Sequence, residues 1–398
     1  MKYIFEILLC LVIVSGVSAS DAVLWRQELS CDSNSTCKPG ALMVDKNSNE
    51  VIILGTSKQT DTKETTCWLW KINPNGVVTH KKSLGVESKH SSFMARIFGI
   101  KSIVQPDTGD VVRLKLDNNN SVSLSVTDRN ILTRTAELDS GQDWAEGILL
   151  HGIAPCKNGD LLIVGQDNGA GIVMRTDISG NVKWKKTFDT EQTENLTSVA
   201  YSADGNDFYV VGLSASMVGK MEFEDAAEVC VLRYDGDGKL KVGDFFKGGV
   251  APWPTSSPKI VCLASGKVVV VYDKSNNVKA TELYAKIYTR ELTPLGEKQM
   301  LKTKEDGPPA FFDVCATSEN RFVLIGVVDY KDLRIYECKE DGTILQTLEL
   351  DGKVGGGATR VYVEYLTGKI FVAFASRSQE NAEGTKIELL ALKPYKAD

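Results

Sequence analysis

Short apolar runs recur along the chain in pairs, each pair split by a turn rich in Gly, Asn or Asp. Ala41-Leu-Met-Val-Asp precedes Val51-Ile-Ile-Leu-Gly55, Lys101-Ser-Ile-Val precedes Val111-Val-Arg-Leu, and Gly152-Ile-Ala-Pro-Cys precedes Leu161-Leu-Ile-Val-Gly165. Thr197-Ser-Val-Ala-Tyr then leads to Phe208-Tyr-Val-Val-Gly212, and Lys259-Ile-Val-Cys-Leu to Val268-Val-Val-Val-Tyr272. The last two pairs are Phe312-Asp-Val-Cys-Ala with Phe322-Val-Leu-Ile-Gly326, and Arg360-Val-Tyr-Val-Glu with Ile370-Phe-Val-Ala-Phe374. Val/Ile/Leu runs of this length, bounded by turn residues, are the pattern of strands buried on both faces.

A second marker follows each of the first six pairs. Asn73-Pro-Asn-Gly76, Asp128-Arg-Asn130, Asp177-Ile-Ser-Gly180, Asp235-Gly-Asp-Gly238, Thr293-Pro-Leu-Gly296 and Glu340-Asp-Gly342 read as tight turns between a third and a fourth strand. An opening Asn, Asp or Thr bonds its own backbone, and Gly or Asn supplies the positive φ. The seventh unit ends at Ile387-Glu-Leu-Leu-Ala-Leu392 without a fourth strand. At the other end of the chain Val23-Leu-Trp-Arg-Gln-Glu-Leu29 has no unit of its own, and it matches Val182-Lys-Trp-Lys-Lys-Thr-Phe188 in its Val, Trp and final large apolar residue. A ring closed by its own N-terminal strand satisfies this arithmetic and removes exposed sheet edges. The expected fold is an all-β, seven-bladed β-propeller.

Met174-Arg-Thr-Asp-Ile-Ser-Gly-Asn-Val-Lys-Trp-Lys-Lys-Thr-Phe188, followed by Val199-Ala-Tyr-Ser-Ala-Asp-Gly-Asn-Asp-Phe-Tyr-Val-Val-Gly212, resembles the exported β-propeller repeat proteins. Their blades carry an Asp-x-x-Gly-Asn turn and a Trp on the outer strand. The resemblance implies an extracellular or surface setting and no particular reaction, since the fold hosts many unrelated functions.

The ends of the chain add to this picture. Lys2, the apolar run from Ile7 to Val17 and the small residues Ser18-Ala19-Ser20 form the pattern of a secretory signal peptide, so residues 1–20 are expected to be removed and residues 21–398 to form one domain. No other stretch approaches membrane-spanning length, and no membrane insertion is expected. A net charge of −6 without a Lys/Arg block excludes the counterion-releasing surface of a nucleic-acid binder. Of nine cysteines Cys10 lies in the signal, and Cys31 and Cys37 are close enough within one loop to pair. Cys156, Cys262 and Cys315 fall in apolar strands, where Cys acts as a small hydrophobe.

Candidate chemistry is sparse. His80, His90 and His151 are the only histidines, and no Gly-x-Ser-x-Gly elbow or phosphate-cradling loop accompanies them. No cofactor or metal is expected: Asp235-Gly-Asp-Gly238 opens like a calcium loop but lacks the distal Glu. Asp45, Asp313 and Glu364 are the acidic residues of the first strands, read as scattered in height. Aligned on the turn after the first strand, Lys101, His151 and Arg360 fall at one level and form a candidate anion site, although solvated channel-lining residues give the same pattern.

The loops between blades, and those between second and third strands, share one face of the expected ring. Trp144, Trp253, Phe93 and the insertion from Met217 to Glu228 fall there, together with the glycosylation sequons at Asn34, Asn119 and Asn195. The leading expectation is a secreted, monomeric binding protein that engages an extracellular protein or glycan through this face, with Trp144 and Trp253 as anchors. The alternative is a hydrolase or lyase acting on a carbohydrate or small anionic substrate at the channel mouth.

Overall fold

The paired apolar runs are the inner two strands of seven four-stranded antiparallel sheets. The computed structural model describes residues 22–31, 35–59, 64–86, 102–105, 108–116, 122–128, 130, 133–138, 149–215, 228–248, 257–274, 282–302, 312–328, 332–350, 361–377 and 385–395. Six blades are continuous in sequence, spanning residues 35–86, 102–137, 149–188, 193–247, 259–302 and 312–350. The seventh combines three strands from residues 361–392 with the N-terminal strand Val23–Leu29 in the outermost position. First strands of adjacent blades touch in an unbroken cycle, blade 7 meeting blade 1.

Burial explains the runs. Residues 51–54, 208–211, 268–272 and 322–325, all in second strands, are inaccessible to solvent because a neighbouring blade covers each face. The outer strands are more exposed, and Val23–Leu29 alternates along its length, since one edge and part of one face meet water.

The turn between third and fourth strands has one design. Asn73 Oδ1 accepts from the amides of Asn75 and Val77 at 3.0 Å each, and Asp177 Oδ1 from those of Ser179 and Asn181 at 2.8 and 3.0 Å. Asp235 Oδ1 does the same for Asp237 and Lys239 at 3.2 and 2.8 Å. The fifth blade departs from the sequence expectation. Its turn is Thr289 to Thr293, with Thr289 Oγ1 accepting from the amides of Glu291 and Thr293. Pro294 already belongs to the strand Pro294–Lys302, where Gly296 pairs with Ile287. The positive φ falls on Leu292, at 62°.

In each intact turn the first residue's N–H also donates to the fifth residue's carbonyl, as Asp177 does to Asn181 at 3.1 Å and Asp235 to Lys239 at 3.0 Å. Blade 7 makes the same bond between the two ends of the chain: Lys393 N–H donates to Ala22 O at 2.9 Å. Register agrees, because Trp25 faces Ala391 as Trp184 faces Arg175. Ring closure is therefore a normal blade hairpin with its turn cut open.

In blades 1, 4, 5 and 6 the second residue of the turn is bolted to the preceding blade. Pro74 O accepts from Trp25 Nε1 at 3.1 Å and Lys369 Nζ at 2.8 Å, Gly236 O from Arg175 at 2.9 Å, and Arg290 O from the Tyr209 hydroxyl at 3.0 Å. Glu340 takes the bolt through its side chain, paired with Lys267 at 2.9 Å. At the cut turn Arg321 donates to Tyr395 O and the Tyr395 amide to Glu337. Cys31 and Cys37 form a disulfide where the chain passes from the closing strand into blade 1, with Cα atoms 6.1 Å apart. The Thr385 hydroxyl of blade 7 donates to Cys37 O at 2.7 Å and Lys81 of blade 1 to Cys31 O at 3.1 Å, so the bridge lies on the seam where the ring closes.

Candidate functional site: the channel and the loop face

The first strands position whatever lines the channel. Three of them carry an extra residue at the same height: Gly40 in blade 1, His151 in blade 3 and Thr197 in blade 4. Opposite each bulge stands a glycine of the second strand, Gly55, Gly165 or Gly212. The bulged backbone requires it, since a Cβ on Gly212 would lie 2.5 Å from Asn195 O. At two of the bulges the extra side chain is buried. The Thr197 hydroxyl donates to Pro258 O of blade 5 at 2.8 Å, and His151 is only 2% exposed.

Below the bulges the first strands are pinned by polar side chains. Ser198 Oγ accepts from the Ile260 amide at 3.4 Å, and Asp313 Oδ2 from the Val363 amide at 3.1 Å, each reaching into the next blade. Lys259 Nζ lies 3.9 Å from Asp313 Oδ1. Next to Val363 on the seventh blade stands Glu364. Dehydration by the surrounding strands, then the negative charge of Asp313, push its carboxyl up to about 8, against the opposing pull of Lys46. Burial, with Glu364 and Asp313 adding to it, likewise raises the Cys315 thiol far above its ordinary value.

Of the three acidic residues read as scattered, the fold brings two together. Asp45 is occupied in its own turn, accepting from the Asn47 amide and the Ser48 hydroxyl. Asp313 is held by an N–H and a lysine, and its charge opposes the ionisation of Glu364. Such a pair carries the elements of acid and base chemistry. Sequence reasoning set the pair aside because the two residues stand at different heights in their own strands, both regular in register, and the offset between neighbouring blades is written in neither.

Lys101, Arg360, Trp144 and Trp253 lie outside the described residues, as do Phe93, His90 and the sequons at Asn34 and Asn119. Asn195, expected on a loop, lies within the strand Thr193–Tyr201 and pairs with Leu213. The hydroxyl of its sequon Thr197 is spent on Pro258. Among the described residues no cluster of three or more metal-binding side chains occurs, and no helix is long and apolar enough to cross a membrane. Burial raises the Cys156 thiol to about 11 and the Cys230 thiol to about 12, in keeping with a packing role.

No protein-family profile and no curated protein matches this sequence. Solved structures share its architecture at low identity. The WD40 domain of coronin from Toxoplasma gondii is 12% identical, with 94% of this chain and 90% of that one covered and a TM-score of 0.54. The polysaccharide lyase Uly1 is 13% identical over 89% of this chain and 90% of its own, at 0.52. The β-propeller domain of the Trilobed protease from Pyrococcus furiosus is 9% identical over 91% and 94%, at 0.50. A WD40 domain, a polysaccharide lyase and the propeller domain of a protease thus share this architecture, and the likeness agrees with the seven-bladed propeller fold described above.

Proposed function

We propose that the protein is an exported binding propeller that engages an extracellular protein or glycan through the face carrying its long connections. The observation that supports this reading is the asymmetry between the two ends of the blades. At one end the chain reverses in tight turns whose polar groups are consumed by their own caps and by bolts to the neighbouring blade. At the other end the strands give onto residues 87–101, 139–148, 216–227, 249–256, 303–311 and 351–360, which supply Phe93, Trp144 and Trp253. Long connections with aromatics on a rigid ring suit partner recognition. In this reading residues 1–20 direct export and residues 21–398 act as a single monomeric domain. A glycan array and a pull-down from native medium identify the ligand. Trp144→Ala and Trp253→Ala are then expected to weaken binding by about tenfold or more, and unchanged affinity in both variants would remove the loop face from the proposal.

The Asp313 and Glu364 pair favours a second reading, a hydrolase or lyase acting at the channel mouth on a carbohydrate or small anionic substrate. Lys101 and Arg360 are then the cations that hold the anionic group, with His151 beside them only if it leaves its buried site. Glu364→Gln and Asp313→Asn are expected to abolish any such turnover. Activity that survived both would exclude the pair from the chemistry.

A further inference from the structure

Where blade 4 packs on blade 5, two lysine ammoniums are held in the same way, against aromatic rings and a carboxylate. Lys286 Nζ lies 3.7 Å from the Phe246 ring centroid and 5.2 Å from that of Tyr288. It also lies 3.0 Å from Asp244 Oδ2, which accepts the Tyr288 hydroxyl at 2.8 Å. Lys274 Nζ lies 4.1 Å from the Tyr284 centroid, 5.8 Å from that of Tyr272 and 2.5 Å from Glu297 Oε2. The Tyr272 hydroxyl donates to the other oxygen of Glu297, and the Tyr284 hydroxyl to Glu282 at 2.7 Å. The rings of Tyr272 and Tyr284 stack with centroids 5.9 Å apart.

Exposure separates the two copies. Lys286 is 14% exposed, whereas Lys274 is 37% exposed and its partner Glu297 33%. Ammonium contacts with rings and carboxylates are weak when solvent reaches them and stronger when it does not. Lys286 is therefore a fixed part of the seam, and Lys274 is exchangeable. Lys274 also ends the strand Val268–Lys274 and Glu282 begins the next, so the outer box opens where the blade meets the long-connection face.

We propose that Tyr272, Tyr284, Glu282 and Glu297 form a recognition box for the ammonium of a lysine side chain on a partner protein, and that Lys274 fills it until the partner arrives. A primary ammonium is favoured because the present occupant is one, and because Glu297 accepts a charge-assisted hydrogen bond from it. Naming a protein partner rests on the loop-face reading. The box itself is tested apart from that reading by a small probe. Removing a built-in competitor raises apparent affinity by the reciprocal of the open fraction, so Lys274→Ala is expected to bind n-butylammonium about tenfold more tightly than the unaltered protein, measured by chemical-shift titration. Tyr284→Leu, which keeps apolar bulk, and Glu297→Gln are each expected to abolish that gain in the Lys274→Ala background. Equal binding by Lys274→Ala and the unaltered protein, or by the double variants, would overturn the box. Equal binding of n-butanol would show that charge is not what is read and would overturn it as well, and tighter binding of tetramethylammonium than of n-butylammonium would overturn the assignment to lysine.

Discussion

Glu364 shows how position on a strand sets chemistry. Its ordinary value near 4.3 rises to about 8 in the folded chain because strands on either side strip its water and Asp313 adds a like charge. Between those two values the folded protein carries a proton that the unfolded chain has lost, so this carboxyl's contribution favours folding less and less as pH rises through the window from about 4.3 to about 8. Glu364→Gln is expected to melt with the unaltered protein at pH 5 and several degrees above it at pH 8, followed by scanning calorimetry. Parallel melting curves for the two proteins across that range would show that the carboxyl is not dehydrated. The residue was visible in the sequence, and its pairing was not, because proximity to Asp313 depends on how neighbouring blades are offset. His151 teaches the converse. Its place at the start of a first strand was legible, but the bulge it occupies and its 2% exposure were not.

At the scale of the turn, the chemistry of the cap was legible and its position in blade 5 was not. Thr289 and Thr293 are four residues apart, and Pro294-Leu-Gly296 has the composition of a turn, so the eye falls on the wrong threonine. Composition misleads there because the positive φ is taken by Leu292, whose buried side chain packs among Tyr209, Tyr272 and Tyr288. In blades 1, 3, 4 and 6 the same position is glycine, and at Gly238 space explains why. A Cβ on Gly238, at φ 79°, would lie 3.1 Å from the Trp184 ring of the preceding blade. Blade 4 carries Val242 where blade 3 carries Trp184, both facing the corresponding arginine of the third strand. At these two seams the large outer residue goes with a glycine turn and the smaller one with a leucine turn. Leu292→Gly relieves backbone strain worth about 1 kcal/mol but loses buried packing worth about 2–5 kcal/mol. The variant is expected to be less stable by about 1–4 kcal/mol in urea denaturation. A gain in stability would mean that strain, not packing, governs the site.

For the whole ring, seven apolar strand pairs against six third-to-fourth turns already implied closure by the N-terminal strand, and the register Val23 to Leu392 through Leu29 to Ile387 bears it out. The strength of that joint is testable. Trp25 packs 5.9 Å from the Phe371 ring and bonds Pro74 O. It is only partly buried, so Trp25→Ala is expected to cost about 2–4 kcal/mol, somewhat under the loss for a fully buried tryptophan, and to lower the melting temperature in a calorimetric scan. Melting unchanged by the substitution would mean that the seam does not limit stability. The cut turn also governs the order of events at birth. A ribosome makes Val23–Leu29 first, yet the strand it must join, Thr385–Leu392, is among the last residues made. Six blades are complete in sequence before the opening segment has a partner, and until then an apolar edge carrying Leu24 and Trp25 waits unpaired. The nascent chain therefore depends on whatever shields that segment until its partner strand is made, and its slowest step is expected to be the meeting of these two strands.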